Sequence, residues 1–234
     1  MLVARNPARL ETMAAELRAS AGIAVETLSA DLGDRADVSR VVTRITDDDR
    51  PIDLLVNNAG FGIHTPLTSV DTTHHDEAIE VMVRTVLVLG GAAGRAMRAR
   101  GHGAIINVSS TAGYMAMGSY SAVKAWVTSY TEGLAVELHG TGVRVTALCP
   151  GWVHTEFHER AGITTSSIPS ALWIDAGLTI ESGLRASEKG RVLVIPSARF
   201  KFLFFFVRHL PRGVVRAISG KISSSRRAPA ESHA

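Results

Sequence analysis

Short apolar runs alternate along the chain with longer segments whose apolar residues recur at helical spacing. The runs predicted to be strands cover residues 1–4, 25–28, 53–56, 104–108, 144–148 and 191–195. The segments predicted to be helices cover residues 8–20, 35–48, 72–100, 120–139 and 175–188, with Asp34 and Asp175 as N-caps. Because strands and helices alternate, the pattern predicts an α/β fold built on a doubly wound parallel sheet.

Composition limits the number of domains and the cellular setting. The chain has 234 residues, of which 46% are hydrophobic, which is enough for one sizeable core. The single cysteine, Cys149, lies in an apolar run, so we interpret it as a core residue rather than a nucleophile and expect a reducing, cytoplasmic compartment. The longest apolar run, residues 202–207, is too short to cross a bilayer.

The segments that follow three of the predicted strands are polar or rich in glycine. They read NNAGFG at 57–62, SSTAG at 109–113 and PGWVHTEF at 150–157. In doubly wound sheets the ligand binds outside the carboxyl ends of the strands. We therefore expect these three segments to line one crevice.

Tyr120 and Lys124 stand four residues apart on a predicted helix and therefore share a face. An ammonium group near a phenol lowers its pKa, which makes tyrosine a usable acid or base near neutral pH. By itself the pair is also typical of a solvated helix face. Its position ten residues after Ser110, with NNAG upstream and PG downstream, favours the catalytic interpretation.

From residue 1 to about residue 197 the sequence resembles the short-chain dehydrogenase/reductase family. The resemblance is carried by DL at 31–32, NNAG at 57–60, NVSS at 107–110, Tyr120 with Lys124, and PG at 150–151 with Thr155. It implies a Rossmann-like fold and hydride transfer from a nicotinamide cofactor. In that mechanism Tyr120 protonates the substrate carbonyl oxygen, Ser110 holds this oxygen, and Lys124 binds the nicotinamide ribose and depresses the tyrosine pKa.

The same resemblance implies the remaining cofactor contacts. Asp31 would approach the adenine, Asn57 and Gly60 would line the adenosine side, and Thr155 would meet the carboxamide. Arg5 directly follows a strand, at a position where relatives that prefer NAD carry an acid. A guanidinium there favours the 2′-phosphate of NADP, so NADP is the expected cofactor and NAD the less favoured one.

The sequence departs from the family pattern at three points. The first, central strand and its glycine-rich turn are not found, which predicts either a gap of roughly 9–10 Å in the sheet or a new strand pairing. Met82 stands where the family usually has an asparagine, and the interval from Ser110 to Tyr120 is short. Met1 is either an internal methionine of a longer product or the start of a truncated chain, and we expect residues 1–234 alone to show no saturable NADPH binding.

The C-terminal part differs in composition from the rest. We divide the chain into a domain at 1–197, a basic and aromatic extension at 198–222 and a disordered tail at 223–234. Residues 200–222 fit a peripheral membrane helix, with a subunit interface or a cover over the substrate pocket as alternatives. No recognition motif for nucleic acid accompanies the charge.

Other polar and aromatic residues receive simpler interpretations. His154 and His158 lack an evident third ligand, so no metal site is expected. A second group forms either a substrate wall or part of the core: Trp152, Phe157, Trp173, Met115 and Met117. Together these observations predict an NADP(H)-preferring, homo-oligomeric oxidoreductase that interconverts a carbonyl and a secondary alcohol on a hydrophobic, acyl-chain substrate. The alternative is a catalytically silent protein that keeps the fold for binding or assembly.

Overall fold

The computed structural model describes residues 1–153 and 173–224. The strands in these residues are β1 Leu2–Ala4, β2 Thr27–Ser29, β3 Leu54–Asn57, β4 Gly103–Val108, β5 Val143–Leu148, β6 Trp152–Val153, β7 Trp173–Ile174 and β8 Leu193–Val194. The helices are α1 Pro7–Ala21, α2 Arg35–Ile45, α3 Thr73–Ile79, α4 Thr85–Arg100, α5 Gly118–Glu137, α6 Ala176–Glu188, α7 Ala198–His209 and α8 Arg212–Ser224. A π-helical turn at Glu80–Arg84 joins α3 to α4. A short 3₁₀ helix at Thr111–Tyr114 precedes α5.

A four-stranded parallel sheet of order β3-β4-β5-β8 forms the centre of the fold. Its middle strand β4 is buried along almost its whole length, as a strand covered on both faces should be. Asn57 at the end of β3 is in register with Asn107 of β4. The sheet, flanked by helices, confirms the predicted Rossmann-like α/β fold.

Strands β1 and β2 pair with each other in a separate parallel sheet. Within the described residues, no ladder joins β1 to β3. Leu54 and Val56 of β3, which is an edge strand of the four-stranded sheet, are 40% and 47% exposed. The structure thus shows the first of the two predicted outcomes, a sheet interrupted between β1 and β3 without a new pairing.

Buried apolar residues of α2 and α4 form the main core with strands of both sheets. Val38, Val41, Leu89 and Met97 contribute to this cluster from the two helices, and Ile105 contributes from β4. The predicted helix over 72–100 is one continuous segment, α3 to α4, with the π turn inside it.

Both predicted N-caps are confirmed by hydrogen bonds. Asp34 accepts a bond from the backbone N–H of Asp37 at 2.9 Å, and Asp175 accepts one from that of Leu178 at 2.9 Å. Each carboxylate satisfies one of the backbone donors that a helix start leaves without a partner.

Helix α7 packs on a second buried cluster at the carboxyl end of the sheet. Phe200 and Phe204 of α7 contact Cys149 and Ile195 in this cluster. Helix α8 extends to Ser224, two residues into the predicted tail, and residues 225–234 lie outside the described part of the chain. None of the helices in residues 1–153 and 173–224 is both long and apolar enough to span a bilayer.

Candidate active site

The end of β4, the 3₁₀ helix and the start of α5 bring Ser110 and Tyr120 together. Ser110 caps the 3₁₀ helix by accepting a hydrogen bond from the backbone N–H of Ala112 at 3.1 Å. The chain then enters α5 at Gly118, whose φ of 76° is the left-handed conformation that glycine adopts without strain. The 3₁₀ helix and the turn at Gly118 reverse the chain within ten residues. The short interval from Ser110 to Tyr120 therefore still allows a hydrogen bond between their side chains.

Lys124 lies one helical turn after Tyr120 and is buried, with 5% of its surface exposed. Its Nζ donates to the carbonyl oxygen of Val108 at 2.8 Å and lies 5.7 Å from the centroid of the Tyr120 ring. Burial lowers the pKa of Lys124 to about 8. A lysine with this pKa can carry or release a proton near neutral pH.

The pKa of Tyr120 differs from the sequence-based prediction. Burial raises the pKa of the phenol to about 12, and the hydrogen bond with Ser110 lowers it only in part. The predicted depression by Lys124 is therefore wrong for this structure. The physical reason is desolvation: the pocket that buries both groups disfavours the charged form of each.

Ser109 and Ser110 have different surroundings, although they are neighbours in the chain. Ser109 is 2% exposed, and its hydroxyl donates to the carbonyl of Lys124 at 2.7 Å while also contacting the hydroxyl of Thr128 at 2.7 Å. These bonds fasten α5 to the end of β4. Ser110 is the serine that faces Tyr120, as the resemblance implied.

A buried amide network beneath the site was not predicted from the sequence. Asn57 donates to the side-chain oxygen of Asn107 at 2.8 Å, and Asn107 donates to the hydroxyl of Thr131 at 3.0 Å. Asn107 is fully buried. The sequence did contain a signal for this network: Asn107 lies inside the apolar run 104–108, and a buried amide needs hydrogen-bond partners. Asn57, predicted to line the adenosine side, is thus also a structural link between β3 and β4.

Gly60 and Met82 form the wall opposite α5. A Cβ added at Gly60 would lie 2.9 Å from Sδ of Met82 and 3.8 Å from Nζ of Lys124. Met82 lies in the π turn, is 1% exposed and packs with Val123 and Tyr120. The thioether fills this position and offers no hydrogen-bond donor beside Lys124.

Arg5 and Asp31 meet beyond the ends of β1 and β2. Nη1 of Arg5 lies 4.0 Å from Oδ2 of Asp31, and both side chains are largely exposed. Asp31 also accepts a bond from the backbone N–H of Gly33 at 2.9 Å. The structure therefore brings together Arg5 and Asp31, two of the four residues predicted for the adenosine end, whereas Gly60 lies beside Lys124. Thr155 lies outside the described residues.

The residues present fit two ends of a dinucleotide. Gly60 is an exposed glycine whose missing Cβ leaves room beside Lys124, and Arg5 offers an exposed cation at the far end. The turn between β1 and α1 is closed by Asn6, which caps the helix through the N–H of Arg9. In the described residues, no strand-to-helix turn has the G-x-G-x-x-G pattern that holds a pyrophosphate.

Metal binding has no support in the described ranges. Residues 1–153 and 173–224 contain no group of three or more His, Cys, Asp or Glu side chains that could hold a metal ion. His154 and His158 lie outside these ranges.

Trp152 follows Pro150, whose carbonyl oxygen accepts a hydrogen bond from the Ser110 hydroxyl at 3.5 Å. The rings of Trp152 and Trp173 are 6.2 Å apart on the paired strands β6 and β7. Trp152 and Met115 also pack against the second cluster, which contains Phe200. These residues therefore take part in packing, and Phe157 lies outside the described residues.

The parallel sheet with this cluster at its carboxyl edge defines a Rossmann-like α/β protein. The family model of the short chain dehydrogenases matches residues 1–165. The chain therefore belongs to the short chain dehydrogenase family, a family of NAD(P)-dependent oxidoreductases.

Individual relatives agree with this assignment. The chain is 34% identical over 158 residues to an uncharacterized oxidoreductase of Staphylococcus saprophyticus, covering 66% of this chain and 68% of that one. It is 32% identical over 163 residues to gluconate 5-dehydrogenase of Gluconobacter oxydans, covering 68% of this chain and 63% of that one. It is 34% identical over 143 residues to acetoacetyl-CoA reductase of Allochromatium vinosum, covering 60% of this chain and 58% of the reductase.

A solved structure matches over nearly the whole chain. It is a short-chain dehydrogenase from Sphingobium yanoikuyae in complex with NADPH, with a TM-score of 0.80 and 28% identity. The match covers 99% of this chain and 87% of that one.

Proposed function

We propose that the protein is an NADP(H)-preferring oxidoreductase that interconverts a carbonyl and a secondary alcohol on a hydrophobic, acyl-chain substrate. The observation that carries the proposal is the cluster of Ser110, Tyr120 and Lys124 beside the exposed backbone of Gly60. A phenol held against a serine hydroxyl, with a lysine whose pKa is near 8 behind it, is suited to moving one proton.

Each residue of the cluster has a distinct task in this reaction. Bound NADPH would supply the hydride. Tyr120 gives its phenolic proton to the carbonyl oxygen, and Ser110 donates a hydrogen bond that orients this oxygen. The raised pKa keeps Tyr120 protonated and ready to act as an acid. Lys124 binds the nicotinamide ribose, and its lowered pKa lets it help to restore the proton.

Arg5 supports the preference for NADP. Its guanidinium is exposed at the end of β1, 4.0 Å from Asp31, where it can bind a 2′-phosphate in bidentate fashion. Asp31 keeps the guanidinium at this edge and remains available to the adenine.

The apolar surroundings support the substrate class. Trp152, Trp173 and Met115 are half-buried aromatic and thioether side chains, and Met115 lies in the segment between Ser110 and Tyr120. Acetoacetyl-CoA reductase is among the relatives, which agrees with an acyl-chain carbonyl. We further propose a homo-oligomer, because Val136 and Leu87 on α5 and α4 are 78% and 49% exposed.

The test combines NADPH titration with turnover. With the family's first strand and glycine-rich turn supplied upstream of residue 1, the protein should bind NADPH at micromolar concentration and should reduce a long-chain 3-oxoacyl thioester faster than a hydrophilic keto acid. Residues 1–234 alone should show no saturable NADPH binding, because a pyrophosphate-binding turn is missing from the described residues. Tyr120→Phe should abolish most turnover while NADPH binding persists, since only the transferable proton is lost. Tyr130→Phe is the matched control, because that hydroxyl only donates to the carbonyl of Leu87.

Two outcomes would contradict the proposal. Turnover by Tyr120→Phe at the wild-type rate would remove Tyr120 from the reaction. Absence of NADPH binding at millimolar concentration in the protein supplied with the upstream segment would favour the catalytically silent alternative.

A further inference from the structure

Helix α7 carries phenylalanines on both of its sides. Phe200 and Phe204 point into the second cluster and are buried. On the other side, Phe202, Phe205 and Phe206 are 69%, 60% and 49% exposed. Exposed apolar surface of this kind usually marks a contact site.

The exposed rings touch one another and form a continuous surface. The ring centroids of Phe202 and Phe206 are 4.8 Å apart, and those of Phe205 and Phe206 are 5.6 Å apart. We call these three residues the aromatic face of α7. Leu203 next to them is 47% exposed and extends the apolar area.

Positive charge surrounds the aromatic face. Residues 189–224 contain eight lysines and arginines and no aspartate or glutamate: Lys189, Arg191, Arg199, Lys201, Arg208, Arg212, Arg216 and Lys221. A cavity of about 520 Å³ next to the face is lined by Phe205 and by Arg191, Lys201, Arg208 and His209. Any partner of this surface must therefore combine apolar groups with negative charge.

Helix α8 extends this surface and connects it to the active site. Val214 and Ile218 are 43% and 37% exposed, whereas Val215 and Ser219 are buried. The hydroxyl of Ser219 accepts a hydrogen bond from the backbone N–H of Ala116 at 3.0 Å. Ala116 lies in the segment between Ser110 and Tyr120, so α8 is attached to the catalytic loop.

We propose that the aromatic face of α7 docks the protein onto the surface of an anionic lipid bilayer. The phenylalanine rings enter the boundary between headgroups and acyl chains, and the surrounding cations bind lipid phosphates and carboxylates. A second copy of the chain is a poorer occupant, because it would bring the same positively charged side chains against this face.

Docking in this way would fix the orientation of the catalytic loop. The ring of Phe204 packs 5.7 Å from that of Tyr114, and Ser219 is bonded to Ala116. The segment between Ser110 and Tyr120 is therefore held close to the lipid surface. Docking itself does not depend on the reaction proposed above.

The first test is flotation of the full chain with lipid vesicles. It should float with phosphatidylcholine vesicles that contain phosphatidylserine and bind pure phosphatidylcholine much more weakly, with binding reduced by salt. The double variant Phe202→Ser/Phe205→Ser should lower the partition coefficient about 100-fold, since each buried ring contributes roughly a factor of ten. Val70→Ser is the control, because it removes an exposed apolar residue outside α7 and α8.

The second test addresses the charge. Lys201→Gln/Arg208→Gln should weaken binding to the anionic vesicles by about 25-fold, at about fivefold per cation. Arg98→Gln, an exposed arginine at the end of α4, should leave binding unchanged. Far-UV circular dichroism checks that each variant is folded, and a Phe202→Trp variant should show a blue-shifted emission when anionic vesicles are added.

Three results would overturn the proposal. These are absence of binding to anionic vesicles, unchanged binding of the Phe202→Ser/Phe205→Ser variant, and absence of an emission shift for Phe202→Trp. A dimer in solution that dissociates in the phenylalanine variant, without any lipid binding, would identify a second copy as the occupant.

Discussion

Gly113 is the residue at which the smallest substitution should have the largest effect on the active site. It lies in the 3₁₀ helix between Ser110 and α5. A Cβ at this position would lie 2.8 Å from the backbone nitrogen of Ala125 and 2.9 Å from the carbonyl carbon of Lys124. Both atoms belong to the backbone of α5, so they cannot move aside as a flexible side chain could.

Gly113→Ala should therefore destabilise the protein. Overpacking against backbone costs about 1–3 kcal/mol. Alanine returns about 0.4–1 kcal/mol by restricting the unfolded chain. We expect a net loss of about 1–2 kcal/mol in the free energy of unfolding. To relieve the contact, the 3₁₀ helix must move away from α5. This movement should separate Ser110 from Tyr120 and lower kcat.

Gly133 provides the matched control on α5 itself. No atom outside its own helix lies within 4 Å of a Cβ built there. Gly133→Ala should stabilise the helix by about 1 kcal/mol, because alanine has the higher helix propensity.

Urea unfolding followed by far-UV circular dichroism measures both changes on one scale. The reasoning is refuted if Gly113→Ala is as stable as wild type while Gly133→Ala shows its expected gain. Unchanged turnover of Gly113→Ala at temperatures far below its melting point would refute the displacement of Ser110.

Three further predictions concern cofactor choice, pH dependence and the buried amides. In the protein supplied with the upstream glycine-rich segment, Arg5→Asp should shift the ratio of kcat/KM values from NADP toward NAD, whereas Arg9→Asp on α1 should leave the ratio unchanged. Between pH 8 and 10.5 Lys124 binds fewer protons in the folded state than in the unfolded state, because burial lowers its pKa to about 8. The free energy of unfolding of wild type should therefore rise by on the order of 3 kcal/mol relative to that of Lys124→Met over this range. A difference in stability between the two proteins that stays constant with pH would contradict the lowered pKa. Asn107→Ala should cost about 2–3 kcal/mol, because the half-buried amide of Asn57 loses its acceptor and the buried hydroxyl of Thr131 loses its donor while keeping its bond to Val127. Asn58→Ala at an exposed position should change the stability by less than about 0.5 kcal/mol.

Local pattern was sufficient for the order of elements and for the catalytic pair. Alternation of apolar runs with helical segments predicted β1 to β5, β8 and the helices from α1 to α6 to within a few residues, whereas β6, β7 and the division of residues 200–222 between α7 and α8 were not predicted. Tyr120 and Lys124 share a face of α5 because a helix brings residues four apart together whatever surrounds it. The two aspartate caps followed in the same way, since capping depends only on the next three residues.

Contacts between residues that are far apart in the sequence could not be predicted from the local sequence pattern. Asn57 and Asn107 are 50 residues apart, and Ala116 and Ser219 are 103 residues apart. Their hydrogen bonds exist only because the sheet and α8 bring them together. The aromatic face of α7 could not be predicted either. The sequence shows five phenylalanines in α7, and only packing decides which of them are buried.

The sequence by itself determined the α/β alternation, the family motifs and the residues of the catalytic cluster, because these depend on local spacing and residue type. Only the tertiary structure determined the pKa values of the residues in that cluster. Burial raises the pKa of Tyr120 to about 12 and lowers that of Lys124 to about 8, the reverse of the predicted effect on the phenol. The desolvation of a group depends on every element packed around it, including Met82 from the π turn beside Tyr120. A local sequence pattern does not contain these distant contributions.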